Sequence, residues 1–381
     1  MSRKLRVLQV LRAPVGGLFR HVCDLASAQA ATGIDVGVIC AESGNRLTEA
    51  KLETLAPHLT LGLHRLPMGR ELGISDIKAW HHVTSIAHHL DIDVVHGHGA
   101  KGGAYARLAA RRLKRYNPEL TCFYTPHGGT LNYAPSSLVG RFYMRLERHL
   151  ESATNGIIFE SVYALTRYTA AIGTPRTAAK VVPNGLLSTD FRTVIPNADA
   201  TDFLFVGELR HLKGVDVALN ALHQLRRVSP FTLTIVGDGP DRALFEAQAS
   251  TLGLDDCVTF TGAIPVKDAF QRGRVLLIPS RAESFPYIVL EAAAAGIPML
   301  ATRVGGIPEI VSSPEFGTLL PAGDVAALTT AMASAIDNPT TTWTTARALK
   351  TSVARRFSVS GMTQDICEFY GASHTRHARA A

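Results

Sequence analysis

Short apolar runs alternate with longer amphipathic segments along the whole chain, and this alternation narrows the fold before any single motif is read. The runs at 5–11, 203–206 and 275–278 are apolar nearly throughout. A run of this length reads as a strand buried on both faces. Strands of that kind joined through helical segments predict parallel sheets covered by helices, an α/β fold. A chain of 381 residues holds about two domains, and 46% hydrophobic residues supply two cores. Val182-Pro183-Asn184-Gly185, then a polar stretch to Ala200, marks the boundary. The expected domains are therefore 1–185 and 186–381, with a last helix at about 358–371. Ligands of open α/β sheets bind outside the carboxyl ends of the strands. Each motif below falls at such an end.

The richest segment is Glu283-Ser284-Phe285-Pro286-Tyr287-Ile288-Val289-Leu290-Glu291, which continues into four alanines and Gly296. The strand at 275–278 is closed by Pro279 and Ser280. Pro286 suits a first helical turn, where a missing N–H costs little, and Gly296 suits the residue after the helix. Glu283 then heads the helix, and Glu291 sits about one and a half turns in. The N–H groups around 284–287 can face an anion. Two acids bracketing an anion site suit the hydroxyls of a sugar and of a ribose with phosphate between them. An isolated Glu283 would read as a surface acid. The apolar helix instead predicts a mostly buried Glu291, and a buried acid needs partners.

Three further turns join it. Phe205-Val206-Gly207-Glu208-Leu209-Arg210-His211-Leu212-Lys213-Gly214 leaves a strand at Gly207, a residue suited to a tight exit. Lys213 and Gly214 are expected to open the next helix. Arg210 offers a planar fork and Lys213 a point charge, together a clamp for a diphosphate; two solvated cations are the plainer reading. Gly237-Asp238-Gly239-Pro240 and Phe260-Thr261-Gly262 end further strands, and their glycines would let a ligand approach the backbone. In the first half, Gly16-Gly17 forms a turn that is not a dinucleotide fingerprint. Strands also end at Val95-His96-Gly97-His98 and at Tyr124-Thr125-Pro126-His127. The spacing of His96, His98 and His127 matches no common zinc pattern, so no metal is expected.

The 283–291 segment resembles the E-x7-E element of retaining glycosyltransferases of family 4, and Val304-Gly305-Gly306-Ile307-Pro308-Glu309 resembles the stretch that follows it there. The resemblance spans nearly the whole chain. It implies a GT-B fold, two Rossmann-like domains facing across a cleft, with the terminal helix crossing back to the first. It implies a nucleotide-diphosphate sugar as donor, no cofactor and no essential metal. Gly16 and Gly17 would cover the donor diphosphate. His127 would border the donor sugar, and His98, with Lys101, Gly102 and Gly103, would line the cleft. Gly207, Gly237 and Gly239 would lie near the nucleotide. Ser284, Phe285, Pro286 and Tyr287 would hold phosphate through the backbone, while Glu283 would bind the sugar and Glu291 the ribose. Relatives often carry arginine where this chain has Glu208, so the clamp role passes to Arg210, with Lys213 beside it. The implied reaction moves a glycosyl group to a hydroxyl acceptor with retention, by front-face attack. A nucleotide-sugar 2-epimerase of the same architecture and a non-catalytic nucleotide-sugar sensor are the alternatives.

Charge is uneven. Residues 1–185 carry 22 Lys/Arg against 13 Asp/Glu, and residues 186–381 carry 17 against 19. Arg107, Arg111, Arg112, Lys114 and Arg115 share one predicted helix, and Arg141, Arg145 and Arg148 share the face of another. Such faces suit an anionic membrane or a polyprenyl-diphosphate or lipid acceptor, and equally a plain solvated surface. No aromatic set accompanies them, which argues against nucleic acid. The five cysteines are scattered through apolar runs and read as reduced core thiols. With no signal peptide and no long apolar span, the expected place is the cytoplasm, including the inner face of its membrane, where polysaccharide or glycolipid is assembled.

Overall fold

In the computed structural model, residues 3–378 are described except 70, 72 and 135, together with all side chains but those of 132 and 373–378. The chain forms two compact units. One holds the residues up to Gly185 and those from Val359 onward, and the other is Leu186–Ser358.

Among its described residues the first unit has seven strands: β1 (Arg6–Leu11), β2 (Asp35–Cys40), β3 (Leu63–Arg65), β4 (Val94–His98), β5 (Thr121–Thr125), β6 (Gly156–Phe159) and β7 (Ala178–Val181). All are parallel, in the order β3-β2-β1-β4-β5-β6-β7. Alternation decides what each face meets, because successive side chains point to opposite sides. Leu8 and Val10 enter the core beneath the helices Ile74–His89 and Gly99–Leu113, whereas Val7 faces the opposite side with Val94 and Phe123. Gln9 is fully buried on that second face. The final helix packs there too, and it runs Val359–Ala378, longer than the sequence suggests.

The second unit has six parallel strands: β8 (Thr201–Val206), β9 (Leu233–Val236), β10 (Val258–Gly262), β11 (Gly273–Ile278), β12 (Met299–Thr302) and β13 (Leu319–Leu320). Their order is β10-β9-β8-β11-β12-β13. Phe203, Phe205, Val275 and Leu277 enter one core, and Leu204, Leu276 and Ile278 enter the other. The helix Tyr287–Ala295 buries seven of its nine residues in the latter, and its four alanines allow that close approach. It ends where Gly296 takes a left-handed φ of 75°. Pro286 is its extended N-cap, one position earlier than expected.

In both sheets the strand order reverses between two central strands, β1 and β4 in the first and β8 and β11 in the second. These reversals are the topological switch points at which such sheets bind ligands. Among the described residues no helix is long and apolar enough to cross a membrane.

Candidate functional site

The loops after β8 and β11 meet at the switch point of the second unit, and five contacts lock them together. The Arg281 N–H donates to the Leu212 carbonyl at 2.8 Å. Its guanidinium forks onto both oxygens of Asp216 at 2.7 and 2.6 Å and also donates to the His211 carbonyl. A Cβ on Gly214 would lie 2.0 Å from the Pro279 carbonyl oxygen, so only glycine lets these chains approach this closely. Finally, Lys213 Nζ lies 2.6 Å from Glu283 Oε1. Burial opposes ionisation of Asp216, but the Arg281 fork outweighs it and holds the carboxyl below its usual range.

Glu283 is held from several directions. Its Oε1 also accepts from Ser280 Oγ at 2.7 Å, and Thr302 Oγ1 donates to the Ser280 carbonyl at 2.6 Å. Gly305, at φ 59°, lies directly behind, where an added Cβ would be 1.6 Å from the Glu283 carbonyl oxygen. The Gly306 N–H donates to the Ser284 carbonyl. The 304–310 stretch thus serves as a backing plate for the Glu283 loop. Glu283 keeps only 9% of its side-chain exposure and Lys213 25%. Phe285 and Tyr287 send their side chains into the core, Phe285 edge-on to Phe357. Pro286 is buried and Ser284 half-buried. Glu291 is partly buried too.

Several expectations need correction. Lys213 and Gly214 do not open the helix. Lys213 ends the short turn His211–Lys213, and Gly214 caps the helix Val215–Leu225 from a left-handed φ of 73°. Arg210 is outside this knot. It is partly exposed, with Nε 3.4 Å from Glu208 Oε1, so the residue that departs from the family pattern is its ionic partner. Gly237 and Gly239 also pack closely against protein. Their Cβ positions would meet the carbonyl oxygens of Gly207 and Leu209 at 1.9 and 2.4 Å. The 237–241 turn therefore braces the 207–211 loop, with the Leu209 N–H bonded to the Asp238 carbonyl and the Asp241 N–H to that of Leu209. Gly207 supports this brace, and its own φ is not left-handed.

In the first unit, Gly16 and Gly17 are exposed at the head of the helix Gly16–Ala31, which starts two residues earlier than the pattern suggests. Gly16 has φ 63°. His98 ends β4, and His127 follows β5 in a left-handed backbone at φ 49°, a strained state for a non-glycine residue. His98 Nδ1 is 3.1 Å from His127 Nε2, and His98 Nε2 is 2.7 Å from Gln9 Oε1. His96 lies between the Tyr370 hydroxyl and Thr125 Oγ1. His21, from the helix after the glycine pair, joins them with Nδ1 2.9 Å from Asn184 Oδ1. Burial lowers the His21 pKa to about 4 against the opposing hydrogen bond that the ring donates to Asn184. Burial also puts His96, His98 and His127 well below 6.5.

The expected basic face is smaller than charge counting implies. Arg107 is fully buried, 2.7 Å from Glu147 and stacked 3.9 Å from the Tyr124 ring. Arg148 pairs with Glu151 and donates to the Ile172 and Thr174 carbonyls. Arg111, Arg112, Arg115, Arg141 and Arg145 remain exposed. All five cysteines are free thiols, four of them buried.

Comparison with known proteins agrees with this geometry. Residues 15–186 match the family model described as Glycosyltransferase Family 4, and residues 200–338 match that described as Glycosyl transferases group 1. A glycogen synthase of Mycobacterium tuberculosis is 28% identical over 366 residues, covering 90% of this chain and 88% of the relative. A GDP-mannose-dependent alpha-(1-6)-phosphatidylinositol monomannoside mannosyltransferase of Mycolicibacterium smegmatis is 32% identical over 214 residues, covering 50% of this chain and 56% of its own length. Among solved structures, Anabaena HepE in complex with UDP-glucose superposes with a TM-score of 0.80 at 21% identity, covering 97% of this chain and 100% of that one. Sucrose-phosphate synthase from Thermosynechococcus elongatus gives 0.80 at 21% identity, with 97% and 99% covered. These two structures share the fold, two Rossmann-like domains of the GT-B kind.

Proposed function

The chain belongs to the family 4 type of glycosyltransferases, and from that premise we propose that it takes a glycosyl group from a nucleotide-diphosphate sugar and transfers it, with retention, to a hydroxyl acceptor. The observation that carries the donor assignment is the knot at the switch point of the second unit, where Lys213 and Glu283 are held together by the loops after β8 and β11. Lys213, with Arg210 at its rim, would neutralise charge developing on the departing diphosphate, the electrostatic role that contributes most to such reactions. Glu283 would fix sugar hydroxyls and Glu291 the ribose. The backbone of 284–287, at the head of a nine-residue helix, would bind phosphate. His127 is proposed as a sugar ligand and His98 as its support; Gly16 and Gly17 would lie over phosphate. None of these steps calls on a cofactor.

The acceptor is proposed as a growing glycan or a polyprenyl- or lipid-linked sugar, of which the lipid-linked kind is in keeping with the phosphatidylinositol monomannoside in the mannosyltransferase relative's name. The helix Leu138–Leu150 supports docking on an anionic membrane surface. Leu138, Val139 and Phe142 are exposed there at 84, 54 and 53%, beside Arg141 and Arg145. Sedimentation with anionic vesicles at low salt tests this. Absence of binding, or binding unchanged in Phe142→Asp, removes the membrane from the reading.

The deciding experiment is a thermal-shift titration with UDP, GDP, ADP and dTDP, repeated on Glu291→Ala. Ligand at about 100 times its Kd should add roughly 2.7 kcal/mol of stability. A selective shift that the variant loses identifies the base and supports the ribose contact. No shift with any nucleotide overturns the donor site. NMR of the product anomer then tests retention, and incubation with UDP-N-acetylglucosamine alone tests for epimerisation.

A further inference from the structure

Beyond sugar transfer, the geometry points to a transition-metal site in the first unit, in which His21 Nε2, His98 Nδ1 and His127 Nε2 bind a Zn2+-class divalent ion. One ring nitrogen from each of the three lies within 4.8 Å of the others, and His98 Nδ1 is already 3.1 Å from His127 Nε2. A tetrahedral ion with nitrogen ligands at roughly 2.0–2.1 Å needs them roughly 3.3 Å apart. Small rotations of His21 therefore complete the set. It differs from the trio that the sequence spacing brings to mind, since His96 is tied up by Tyr370 and Thr125 and its place is taken by His21, from a helix distant in sequence.

The hydrogen bonds around the three rings set their lone pairs. Asn184 Oδ1 can only accept, so His21 Nδ1 carries its proton there and Nε2 presents a lone pair. That Nε2 is buried and has no hydrogen-bond partner among the described residues. A buried acceptor without a partner needs an explanation, and an ion or ordered water is the usual one. Gln9 donates its amide to Gln29 Oε1, so its own oxygen accepts from His98 Nε2–H, and His98 Nδ1 is left with a lone pair toward the centre. Outer partners that fix tautomers in this way are the second layer characteristic of metal-bound histidine. His127 now donates Nε2–H to His98. On binding, that proton moves to Nδ1 and Nε2 takes the ion, with no net change in charge on the ring. Burial keeps all three rings neutral near pH 7, the form that coordinates metal. The three come from a helix, a strand end and a strained turn, so their positions are set by rigid elements. His127 is partly exposed, which gives the ion an entry and leaves its fourth position open to water or a substrate oxygen.

The test uses the full chain, stripped with chelator and titrated with Co2+ while visible absorption is followed. One equivalent should produce the intense bands of a tetrahedral ion, and Zn2+ should abolish them. His81, His82, His88 and His89 are exposed on one helix and could bind metal adventitiously, so replacing all four with Gln serves as a control and should leave the bands intact. His21→Gln should remove them. Asn184→Ala, which keeps all three ligands, should weaken affinity by about 10–100-fold and covers the case in which His21→Gln fails to fold. Lack of tetrahedral bands in the wild type, bands unchanged in both His21→Gln and Asn184→Ala, or bands lost in the four-histidine control would each overturn the site. The readout is metal, not turnover, so failure here leaves the sugar-transfer reading standing.

Discussion

Lys213 Nζ sits 2.6 Å from Glu283 Oε1, although the two are 70 residues apart and leave different strands. Each is the other's counter-charge before any donor is bound. A diphosphate would compete with Glu283 for the ammonium, and its sugar would offer the carboxylate hydroxyls instead. The pair is therefore poised to exchange partners when donor binds. Lys213→Ala should lower kcat by about 10²–10³-fold, the range for losing one stabiliser of developing charge. Initial rates at saturating donor check this. A thermal melt run alongside separates chemistry from the instability of leaving Glu283 alone. Normal kcat in a folded variant would remove Lys213 from the site.

Gly305→Ala tests the backing plate. The added Cβ meets the Glu283 carbonyl oxygen at 1.6 Å, and the left-handed φ is itself strained for alanine. The Glu283 loop must move, and activity should fall by about 10²-fold, as expected when a reacting geometry slips by an ångström. The fold should largely survive, because the loop is at the rim of the second core. Kinetics together with a chemical melt distinguish the two effects.

Arg107 and Glu147 form an ion pair with 0 and 3% side-chain exposure, and Glu147 also accepts from the hydroxyls of Tyr124 and Thr130. Arg107→Met strands a buried carboxylate that has lost its cation. The expected cost is about 3–5 kcal/mol, read as a lower urea midpoint. The double variant with Glu147→Leu should recover much of it, since breaking such a pair costs more than replacing it.

The strands, the helix heading 287–295 and the glycine after it were legible because each depends on local pattern: apolar run, proline, glycine. The segments that carry Glu283 and Lys213 stood out for the same reason, each on its own strand-to-helix loop. The Arg281–Asp216 fork was not, since it joins residues 65 apart and neither stands out alone. The histidine cluster was half legible. His98 and His127 end strands, but His21 reads as one more polar residue on an amphipathic helix. A clue did exist in Gln9, a lone amide inside the apolar run 5–11 that marks polar company on that face. Arg107 misled in the opposite direction. Counting charge along a helix cannot reveal that one member points inward at Glu147.

The buried histidines make stability depend on pH. Burial holds His21 at about 4 in the folded chain, against an ordinary 6.5 when unfolded. Between those values the unfolded chain binds a proton that the folded chain refuses. Stability is therefore fully present above about pH 6.5 and is lost as pH falls toward 4. For His21 alone the loss is about 2 kcal/mol at pH 5. His96, His98 and His127 act in the same direction, with His127 discounted for its partial exposure. At pH 5 the solution is still above the usual carboxylate range. Urea unfolding at pH 7.5 and pH 5, with chelator present so that no metal contributes, should show the midpoint falling with unchanged slope. Equal midpoints would mean that water reaches these rings, or that the cluster accepts a shared proton without opening, and either result would displace burial as the force that sets their charge.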